Sequence, residues 1–333
     1  MAYTLSDFDY HLPEELIAQK PSTPRDHSRL LVYSRETKTI TDDVFYNIGN
    51  HLPKSTSLVV NNSKVEKCRL LFGDGKIEVF VTKAVNNTMV EAMVRPGKKF
   101  RTGKITTLAE GINAKTLSVA EDGIRTLELN LPMDHELLES YKYTPFPPYI
   151  KRDESLASRY QTVFAKDEGS KAAPTAGLHF TPELLEKLRR RGIEKKEITL
   201  HVGLGTFAPV KSETIEEHIM HSEWYRVTPE QAEELNRSDS ITAVGTTSVR
   251  VLESMPKKEG RFIACSGETD IFITPGYRFK SVDHLITNFH LPKSTLLMLI
   301  SAFAGFEETR EIYRHAIKQK YRFYSFGDAM LIL

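Results

Sequence analysis

The stretch that decides the fold of this chain is ITAVGTTSVR, residues 241–250. The apolar and β-branched residues 241–244 predict a buried strand, and the polar phrase after them predicts a turn into a helix. Backbone N–H groups point outward at a helix start, so this phrase is suited to hold an anion or a hydroxyl. The stretch therefore predicts an α/β fold with polar groups at a strand end.

Three more strand-like runs in the second half end in the same way. Residues 197–202 run into GLGTF (203–207), 270–274 run into PG (275–276), and 285–288 run into FHLP (289–292). In open α/β sheets, ligands bind outside the carboxyl ends of the strands. The repeated pattern predicts one composite site, whereas any single phrase is equally well explained as an ordinary turn or helix cap.

Helix signals alternate with these strands. Thr181 followed by proline predicts a helix start, Thr228 with Gln231 forms a capping box, and Ser294 predicts a cap for a helix reaching Phe303. Residues 307–320 show an amphipathic helical pattern, and a further helix is predicted over 13–18, opened by Pro13. The second half therefore reads as α/β.

The middle of the chain has a different pattern. Five short β-like runs are separated by Gly, Asn and Asp at roughly ten-residue spacing. They are Ile77–Thr82, Thr88–Val94, Ile105–Leu108, Thr116–Val119 and Thr126–Leu131. Regular short strands with turn residues between them indicate a small antiparallel barrel or sandwich, and the proline-rich segment 144–152 predicts a linker after it.

Composition limits the class of protein. The chain of 333 residues has 45 Lys and Arg against 44 Asp and Glu, which argues against coating nucleic acid by bulk charge. Two cysteines exclude a disulfide framework, and the start of the chain has neither a signal nor a transit pattern. The longest apolar stretch, 296–304, is too short to span a bilayer, so we expect a reduced, cytoplasmic protein with no membrane contact.

Several common motifs are absent from the sequence. It contains no GxGxxG, no GxxxxGK[ST] and no GxSxG. These absences weigh against a nicotinamide dehydrogenase, a P-loop enzyme and an α/β-hydrolase.

The phrase EEHIMHSE (216–223) raises the question of a metal site, because His218 and His221 lie three residues apart with Glu223 close by. It lacks the i, i+4 spacing of a zincin helix, and no further ligand pattern completes it, so we predict no metal site. The alternatives are a polar loop held by hydrogen bonds and acid–base work by neutral imidazole.

Basic residues cluster in two places despite the neutral total. The first cluster is Arg95, Lys98, Lys99, Arg101 and Lys104, and the second lies within 187–196 and includes Arg189, Arg190 and Arg191. Either cluster is suited to track a phosphate backbone, with salt-dependent affinity. Taken alone, each is more simply a solvated face.

Longer phrases in this sequence resemble a known family, the S-adenosylmethionine:tRNA ribosyltransferase-isomerases of queuosine biosynthesis. The phrases are DFDYHLPEELIAQKP (7–21), VVNNSKV (59–65), APTAGLHF (173–180), TLHVGLGTF (199–207), HIMHSEWY (218–225), AVGTTSVR (243–250), LITNFHLPKSTLLML (285–299) and YRFYSFGDAM (321–330). They occur in order from end to end of the chain.

The resemblance implies an activity. The family transfers and isomerises the ribosyl moiety of S-adenosylmethionine onto 7-aminomethyl-7-deazaguanine at the wobble position of a tRNA with a GUN anticodon. The products are epoxyqueuosine-tRNA, adenine and methionine. We further expect a monomer without a bound prosthetic group, S-adenosylmethionine being a substrate.

The resemblance also implies the domain organisation. The family has a large mixed α/β domain interrupted by a small antiparallel β-barrel domain, which agrees with the separate all-β segment. We therefore expect a discontinuous catalytic domain at 1–66 and 149–333, and an inserted barrel at 67–148.

Candidate site residues follow from the demands of this reaction. Acid and base candidates are His179, His201, His221, Glu223 and His290. Candidates for binding the substrate are Asn61, Asn62, Thr175, Gly177, Gly203, Gly205, Thr246, Thr247, Ser248, Arg250 and Asn288, with Arg250 suited to pair with a carboxylate. The two basic clusters are the candidates for tRNA. A non-catalytic RNA-binding protein and a metal-dependent hydrolase centred on His218 and His221 remain the alternatives.

Overall fold

The structure, a computed structural model, describes residues 3–203, 215–218 and 220–333. The chain divides into two compact units. The first joins Met1–Lys64 to Pro147–Leu333, and the second is Val65–Phe146. The second unit is thus an insertion in the sequence of the first.

The regular elements of both units are numbered in chain order. The strands are β1 (Arg29–Ser34), β2 (Thr39–Val44), β3 (Thr56–Asn61), β4 (Ser63–Val65), β5 (Arg69–Phe72), β6 (Ile77–Ala84), β7 (Met89–Arg95), β8 (Ile105–Ala109), β9 (Ile112–Val119), β10 (Arg125–Leu129), β11 (Lys142–Tyr143), β12 (Asp167–Ser170), β13 (Lys195–Leu200), β14 (Glu223–Val227), β15 (Ser240–Val244), β16 (Lys257–Lys258), β17 (Arg261–Phe262), β18 (Cys265–Thr269), β19 (His284–Asn288) and β20 (Ala329–Ile332).

The α-helices are α1 (Glu136–Glu139), α2 (Pro182–Arg189), α3 (Pro229–Leu235), α4 (Thr246–Ser254), α5 (Thr295–Ala304) and α6 (Phe306–Lys318). Short 3-10 helices cover Leu5–Phe8, Glu14–Leu16, Arg25–His27, Phe45–Asn50, Gly97–Lys99, Glu154–Tyr160, Thr175–His179 and Ile215–Glu217. No helix among the described residues is long and apolar enough to cross a membrane.

The first unit is built on a nine-stranded sheet. Its strand order is β18-β14-β13-β3-β15-β19-β20-β1-β2. The four central strands β13, β3, β15 and β19 run parallel to one another, whereas β14 and β20 run antiparallel to their neighbours β13 and β19. The carboxyl ends of the four parallel strands therefore lie along one edge of the sheet.

Both faces of this sheet are covered. Alternate residues of a strand point to opposite faces, and Leu31 and Val59 accordingly join one hydrophobic cluster whereas Leu30 and Leu58 join another. The first cluster includes the buried faces of α3, α4, α5 and α6, and the second includes Leu184 and Leu188 of α2. The predicted mixed α/β class is confirmed.

The predicted helix starts are confirmed at three positions. Thr181 Oγ1 accepts the Leu184 N–H at 3.1 Å, and Ser294 Oγ accepts the Leu297 N–H at 3.2 Å. Thr228 and Gln231 form the reciprocal capping box. Each cap satisfies an N–H group that the first helical turn leaves without a partner.

Two predicted elements are wrong. Residues 270–274 do not form a strand. The strand in this region is β18, which lies earlier in the chain and ends at Thr269, the residue that pairs with Glu223 at the start of β14. Beyond that pair β14 offers no further residue for the ladder. The predicted helix over 13–18 is only the 3-10 turn Glu14–Leu16.

The second unit contains a seven-stranded antiparallel sheet in the order β11-β5-β6-β7-β10-β9-β8. It includes the five predicted strands together with β5 and β11, which sequence analysis missed. Its register shifts within the β6–β7, β8–β9 and β9–β10 pairs. Such bulges bend strands and increase their twist.

Candidate active site

Polar residues collect at the carboxyl edge of the four parallel strands. Asn61 ends β3, His201 follows β13, Gly245 and Thr246 follow β15, and Asn288 ends β19. Because neighbouring parallel strands end at the same edge, these residues lie side by side. Three of the four predicted strand ends are therefore brought to one edge.

The turn after β15 places the start of α4 at this edge. Gly245 has φ +88°, a conformation that L side chains rarely adopt, and its N–H donates to the Ile286 carbonyl at 2.8 Å. Thr246 and Thr247 follow it and face a cleft, and Thr247 Oγ1 has no hydrogen-bond partner among the described residues. Ser248 instead turns inward, and its Oγ donates to the Val244 carbonyl at 2.8 Å.

The cleft at this edge has mixed walls. Polar lining comes from Thr175, Thr246, Thr247, Asn288 and His290, all predicted as site residues. The remaining lining includes apolar side chains and polar groups that sequence analysis missed: Tyr149, Ala173, Ala176, Val202, Thr287, Leu291, Ser294, Leu296, Tyr324 and Ser325. Apolar walls with a few convergent polar groups are typical of a small-molecule site.

His290 is the predicted acid or base that lines this cleft. Its Nε2 lies 2.9 Å from Thr287 Oγ1, and only 9% of the residue is exposed. Burial lowers the pKa of His290 to about 3, because desolvation penalises the imidazolium. The cleft therefore contains a neutral imidazole at neutral pH.

His179 lies behind the cleft rather than in its lining. It ends the 3-10 helix Thr175–His179, which packs against β19, and its Nδ1 lies 2.7 Å from Ser28 Oγ. Burial lowers the pKa of His179 to about 4, and the interaction with the Asn288 side chain opposes this shift. Asn288 Nδ2 donates to the Tyr324 carbonyl at 3.0 Å, so His179 lies beside an amide that is fixed in the cleft.

A recess continuous with the cleft contains a buried ion pair. Glu223 and Arg250 are 4% and 5% exposed, and Arg250 Nη1 donates to Glu223 Oε2. Glu223 Oε1 accepts the Gly203 N–H at 2.8 Å, and Arg250 Nη2 donates to the Thr269 carbonyl at 3.0 Å. Burial lowers the pKa of Arg250 to about 10, so the guanidinium stays charged at neutral pH.

This recess shares Thr246, Thr247 and Leu296 with the cleft. His221 lies in its lining and is exposed, and His218 lies there as well, with its pKa lowered mainly by burial. Arg250 Nε has no hydrogen-bond partner among the described residues. The recess thus presents a cationic donor beside the start of α4.

Other predicted site residues lie outside the cleft lining. Asn61 bonds the Leu200 backbone through both ends of its amide, and Asn62 bonds Glu197 and Thr199. Both asparagines therefore join β3 and its continuation to β13.

His201 and Gly177 also serve packing. The His201 ring lies 4.8 Å from the Trp224 ring, and burial lowers the pKa of His201. A Cβ added to Gly177 would come within 2.6 Å of Phe164 Cζ, so a side chain does not fit there. Gly203 donates its N–H to Glu223 in the recess, and Gly205 lies outside the described residues.

The two basic clusters differ in how much charge is already paired. Lys98, Lys99, Arg101 and Lys104 are exposed, and Arg95 forms an ion pair with Glu78 at 3.0 Å. In the other cluster, Glu186 lies 2.7 Å from Arg189 and 2.9 Å from Arg190, and Arg191 donates to Asn50 Oδ1. Among the described residues, no group of three His, Cys, Asp or Glu side chains is placed to hold a metal ion.

Of the missed residues, Tyr149 and Ser325 are linked to each other, with their hydroxyl oxygens 2.8 Å apart. Ser325 lies in the phrase YRFYSFGDAM, so family resemblance offered a signal for it. Tyr149 lies in the proline-rich segment, and nothing in that segment's composition separates a site residue from a linker residue.

Comparison with known proteins agrees with the resemblance seen in the sequence. Residues 5–332 match the family described as "Queuosine biosynthesis protein". The S-adenosylmethionine:tRNA ribosyltransferase-isomerase of Thermotoga petrophila is 49% identical over 339 residues, and that of Moorella thermoacetica is 50% identical over 340. Each alignment covers 99% of both chains.

A solved structure is similar as well. The crystal structure of S-adenosylmethionine tRNA ribosyltransferase from Thermotoga maritima is 40% identical, with a TM-score of 0.56. The match covers 98% of this chain and 100% of that chain. The chain therefore belongs to the queuosine biosynthesis protein family.

Proposed function

We propose that this chain is an S-adenosylmethionine:tRNA ribosyltransferase-isomerase. It transfers and isomerises the ribosyl moiety of S-adenosylmethionine onto 7-aminomethyl-7-deazaguanine at the wobble position of a tRNA with a GUN anticodon. The products are epoxyqueuosine-tRNA, adenine and methionine. The full-length match to relatives of this name supports the proposal.

The observation that carries the proposal is the pairing of an apolar-walled cleft with a charged recess. A substrate with a flat heterocycle, two hydroxyls and an amino acid tail needs both environments. The apolar walls of the cleft suit adenine, and Thr246, Thr247 and Asn288 suit the ribose hydroxyls. Arg250 Nε, which has no partner among the described residues, suits the carboxylate of the tail.

The chemistry requires a base, because the sulfonium acidifies the C5′ hydrogens of the substrate. A positioned base takes one of these protons. The bond between adenine and the ribosyl group then breaks, adenine is protonated as it departs, and the amine of the modified base forms a bond to the ribosyl group and loses a proton. Epoxide closure finally expels methionine. We assign the base or acid to His290, because its imidazole lines the cleft where the substrate would lie and is held there by Thr287.

The other candidates take different roles in this proposal. Glu223 holds Arg250 in place, since both of its carboxylate oxygens already accept hydrogen bonds. His179 orients Asn288 from behind the cleft, and exposed His221 is the second candidate for proton transfer. His201, Asn61, Asn62, Gly177 and Ser248 contribute to the architecture of this edge.

The tRNA contacts and setting form the rest of the proposal. The exposed basic residues 98–104 and the turn at 189–191 bind phosphates, and the bulged seven-stranded sheet is the inserted barrel domain at 67–148. The enzyme works as a monomer in the cytoplasm without a bound prosthetic group, with 1–66 and 149–333 forming the catalytic domain.

The test is a single-turnover assay with S-adenosylmethionine and tRNA carrying the precursor base. We expect stoichiometric adenine and methionine, and none with tRNA that has an unmodified guanine at that position. Binding of tRNA without adenine release would favour a non-catalytic RNA-binding protein. Loss of activity on chelation, with stoichiometric metal by elemental analysis, would favour the metal-dependent hydrolase.

The same assay tests His290. We expect His290→Gln to slow adenine release by roughly 10²- to 10⁴-fold, the usual contribution of a general acid or base. The matched control is His284→Gln, at the start of β19, whereas His290 lies in the loop that follows the end of this strand. Equal rates for His290→Gln and the wild type would refute the assignment of His290.

A further inference from the structure

The peptide of His290 is held on both sides by tyrosine hydroxyls. The Tyr10 hydroxyl donates to the His290 carbonyl, and the His290 N–H donates to the Tyr313 hydroxyl at 2.9 Å. The backbone N–H and the backbone carbonyl of His290 therefore both have a hydrogen-bond partner. The side chain is fixed separately, through Thr287.

The segment that contains Tyr10 makes two further contacts with the loop after β19. The Lys293 N–H donates to the Phe8 carbonyl at 2.9 Å, and Lys293 Nζ lies 2.7 Å from Asp9 Oδ2. The loop 289–294 is therefore bound to residues 8–10 at three points. The same loop leads into α5, whose first residues line the recess.

Neither tyrosine lines the cleft itself. Their rings lie 5.1 Å apart in an edge-on arrangement and face a separate cavity of about 470 Å³ between the N-terminal segment and α6. Burial raises the pKa of both phenols, so both stay protonated and able to hydrogen-bond at neutral pH. Their hydroxyls bond the backbone of His290, and the Tyr313 ring also lies 5.7 Å from the ring of Phe289, which lines the cleft.

We propose that Tyr10 and Tyr313 are positioning residues that clamp the His290 peptide and thereby fix the imidazole in the cleft. This inference rests on the proposed function, in which His290 transfers a proton. Proton transfer requires the imidazole within hydrogen-bond reach of the substrate, so a small displacement of the peptide lowers the rate without removing any cleft-lining group. Aromatic packing alone would need the rings but not the hydroxyls.

Tyr10→Phe and Tyr313→Phe separate these two roles, because each keeps the ring and deletes the hydroxyl. The matched control is Tyr3→Phe, whose ring lies 5.7 Å from Phe8 and 4.8 Å from Phe306 in the same cluster. Tyr3 has no hydrogen bond to residues 289–294 in the described part of the chain. Thermal unfolding of each variant verifies that it folds.

The first measurement is amide hydrogen exchange over residues 285–294. We expect faster exchange in Tyr313→Phe, which loses the acceptor of the His290 N–H, and in Tyr10→Phe, which frees the carbonyl. The control is expected to match the wild type. Unchanged exchange in both clamp variants would overturn the proposal.

The second measurement is single-turnover adenine release. We expect each clamp variant to lose about threefold to tenfold in rate, the range for one hydrogen bond, with little change in the S-adenosylmethionine concentration that gives half the maximal rate. In a His290→Gln background the same substitutions are expected to have no further effect, because their effect passes through His290.

Faster exchange with unchanged turnover, or a loss that persists in the His290→Gln background, would also overturn the proposal. If His290→Gln turned over at the wild-type rate, His290 would not transfer the proton, and the positioning role of Tyr10 and Tyr313 would be refuted with it. Adenine release in that variant would still leave the proposed activity standing, so the two failures are distinguishable.

Discussion

The cleft edge of the nine-stranded sheet and the basic loop of the seven-stranded sheet use charge in opposite ways. At the cleft edge, the charged groups Glu223 and Arg250 are 4% and 5% exposed and are held by hydrogen bonds. In the loop, Lys98, Lys99, Arg101 and Lys104 are exposed to solvent. The first arrangement is fixed before a ligand arrives, whereas the second is free to adapt.

The buried and the exposed charges are therefore suited to different tasks. Buried charges interact strongly and are only weakly screened, so they can orient a small substrate precisely. Exposed charges are screened by salt beyond about 10 Å, so they steer and hold a polyanion without fixing atoms. We therefore expect substitutions at the cleft edge to change stability and chemistry, and those in the loop to change affinity for tRNA.

The largest expected effect comes from separating the buried ion pair. Arg250→Met leaves the Glu223 carboxylate buried without its cation, and we expect a loss of about 3–5 kcal/mol in the free energy of unfolding. Urea denaturation measures this loss. The double variant Arg250→Met with Glu223→Leu is expected to recover most of the stability but no adenine release.

The matched control is the exposed pair of Arg237 and Glu233, for which Arg237→Met is expected to cost at most about 0.5 kcal/mol. If both arginine variants lost the same stability, burial would not distinguish the cleft edge from the surface. Recovery of adenine release in the double variant would show that the pair has no role in binding substrate.

The next effect is a pH dependence of stability that arises from His179. Its native pKa of about 4 lies below the ordinary 6.5, and charged neighbours Asp328, Arg322 and Arg25 modify this burial-driven shift. Between these pH values the unfolded chain binds a proton that the native state does not. Above pH 6.5 His179 does not reduce the free energy of unfolding. As the pH falls from 6.5 toward 4, the proton bound by the unfolded chain lowers this free energy by about 3 kcal/mol.

His179→Gln is expected to make the loss of stability between pH 7 and pH 4.5 smaller, as measured by urea unfolding at each pH. His290, whose pKa is lowered further, contributes in the same direction and remains in the variant. Ser28→Ala is the control, because it removes the hydrogen bond to Nδ1 but keeps the imidazole. A pH dependence identical in His179→Gln and the wild type would contradict the burial argument.

The smallest effect is expected in the loop. Replacing Lys98, Lys99 and Arg101 by Gln should weaken tRNA binding and lower the slope of log K against log salt by about 1 for each phosphate contact. Adenine release at saturating tRNA should not change. Filter binding over a salt series measures the slope. The control is Lys83→Gln, because Lys83 lies at the end of the β6–β7 pair that is farther from the basic loop.

Gln substitutions at Arg189 and Arg190 sharpen this comparison. Glu186 already pairs with both arginines, so less free charge is available there than in the loop. We expect a smaller change in the salt slope than for the loop variant. A larger change would reverse the ranking of the two basic clusters.

Local patterns predicted much of the first unit. The caps at Thr181, Thr228 and Ser294 depend on side chains next to the backbone they bond, so sequence reading located them. Strand ends were also predictable, because apolar runs stop where polar phrases begin. The false strand at 270–274 shows the limit, since a run of suitable residues forms a strand only where a partner strand continues beside it.

The sequence by itself determined the α/β class, the alternation of elements, and the edge of the sheet where polar residues collect. It did not determine which polar residues face the cleft. Asn61 and Asn288 both end parallel strands, yet Asn61 bonds the neighbouring strand and Asn288 lines the cleft.

Only the tertiary structure decided such differences, because a side chain's partner depends on elements brought together by long-range folding. Tyr10 lies 280 residues from His290 along the chain, and no local pattern relates them. The crossing of the N-terminal segment with the loop after β19 creates that contact. Chain topology, rather than propensity, therefore completed the site.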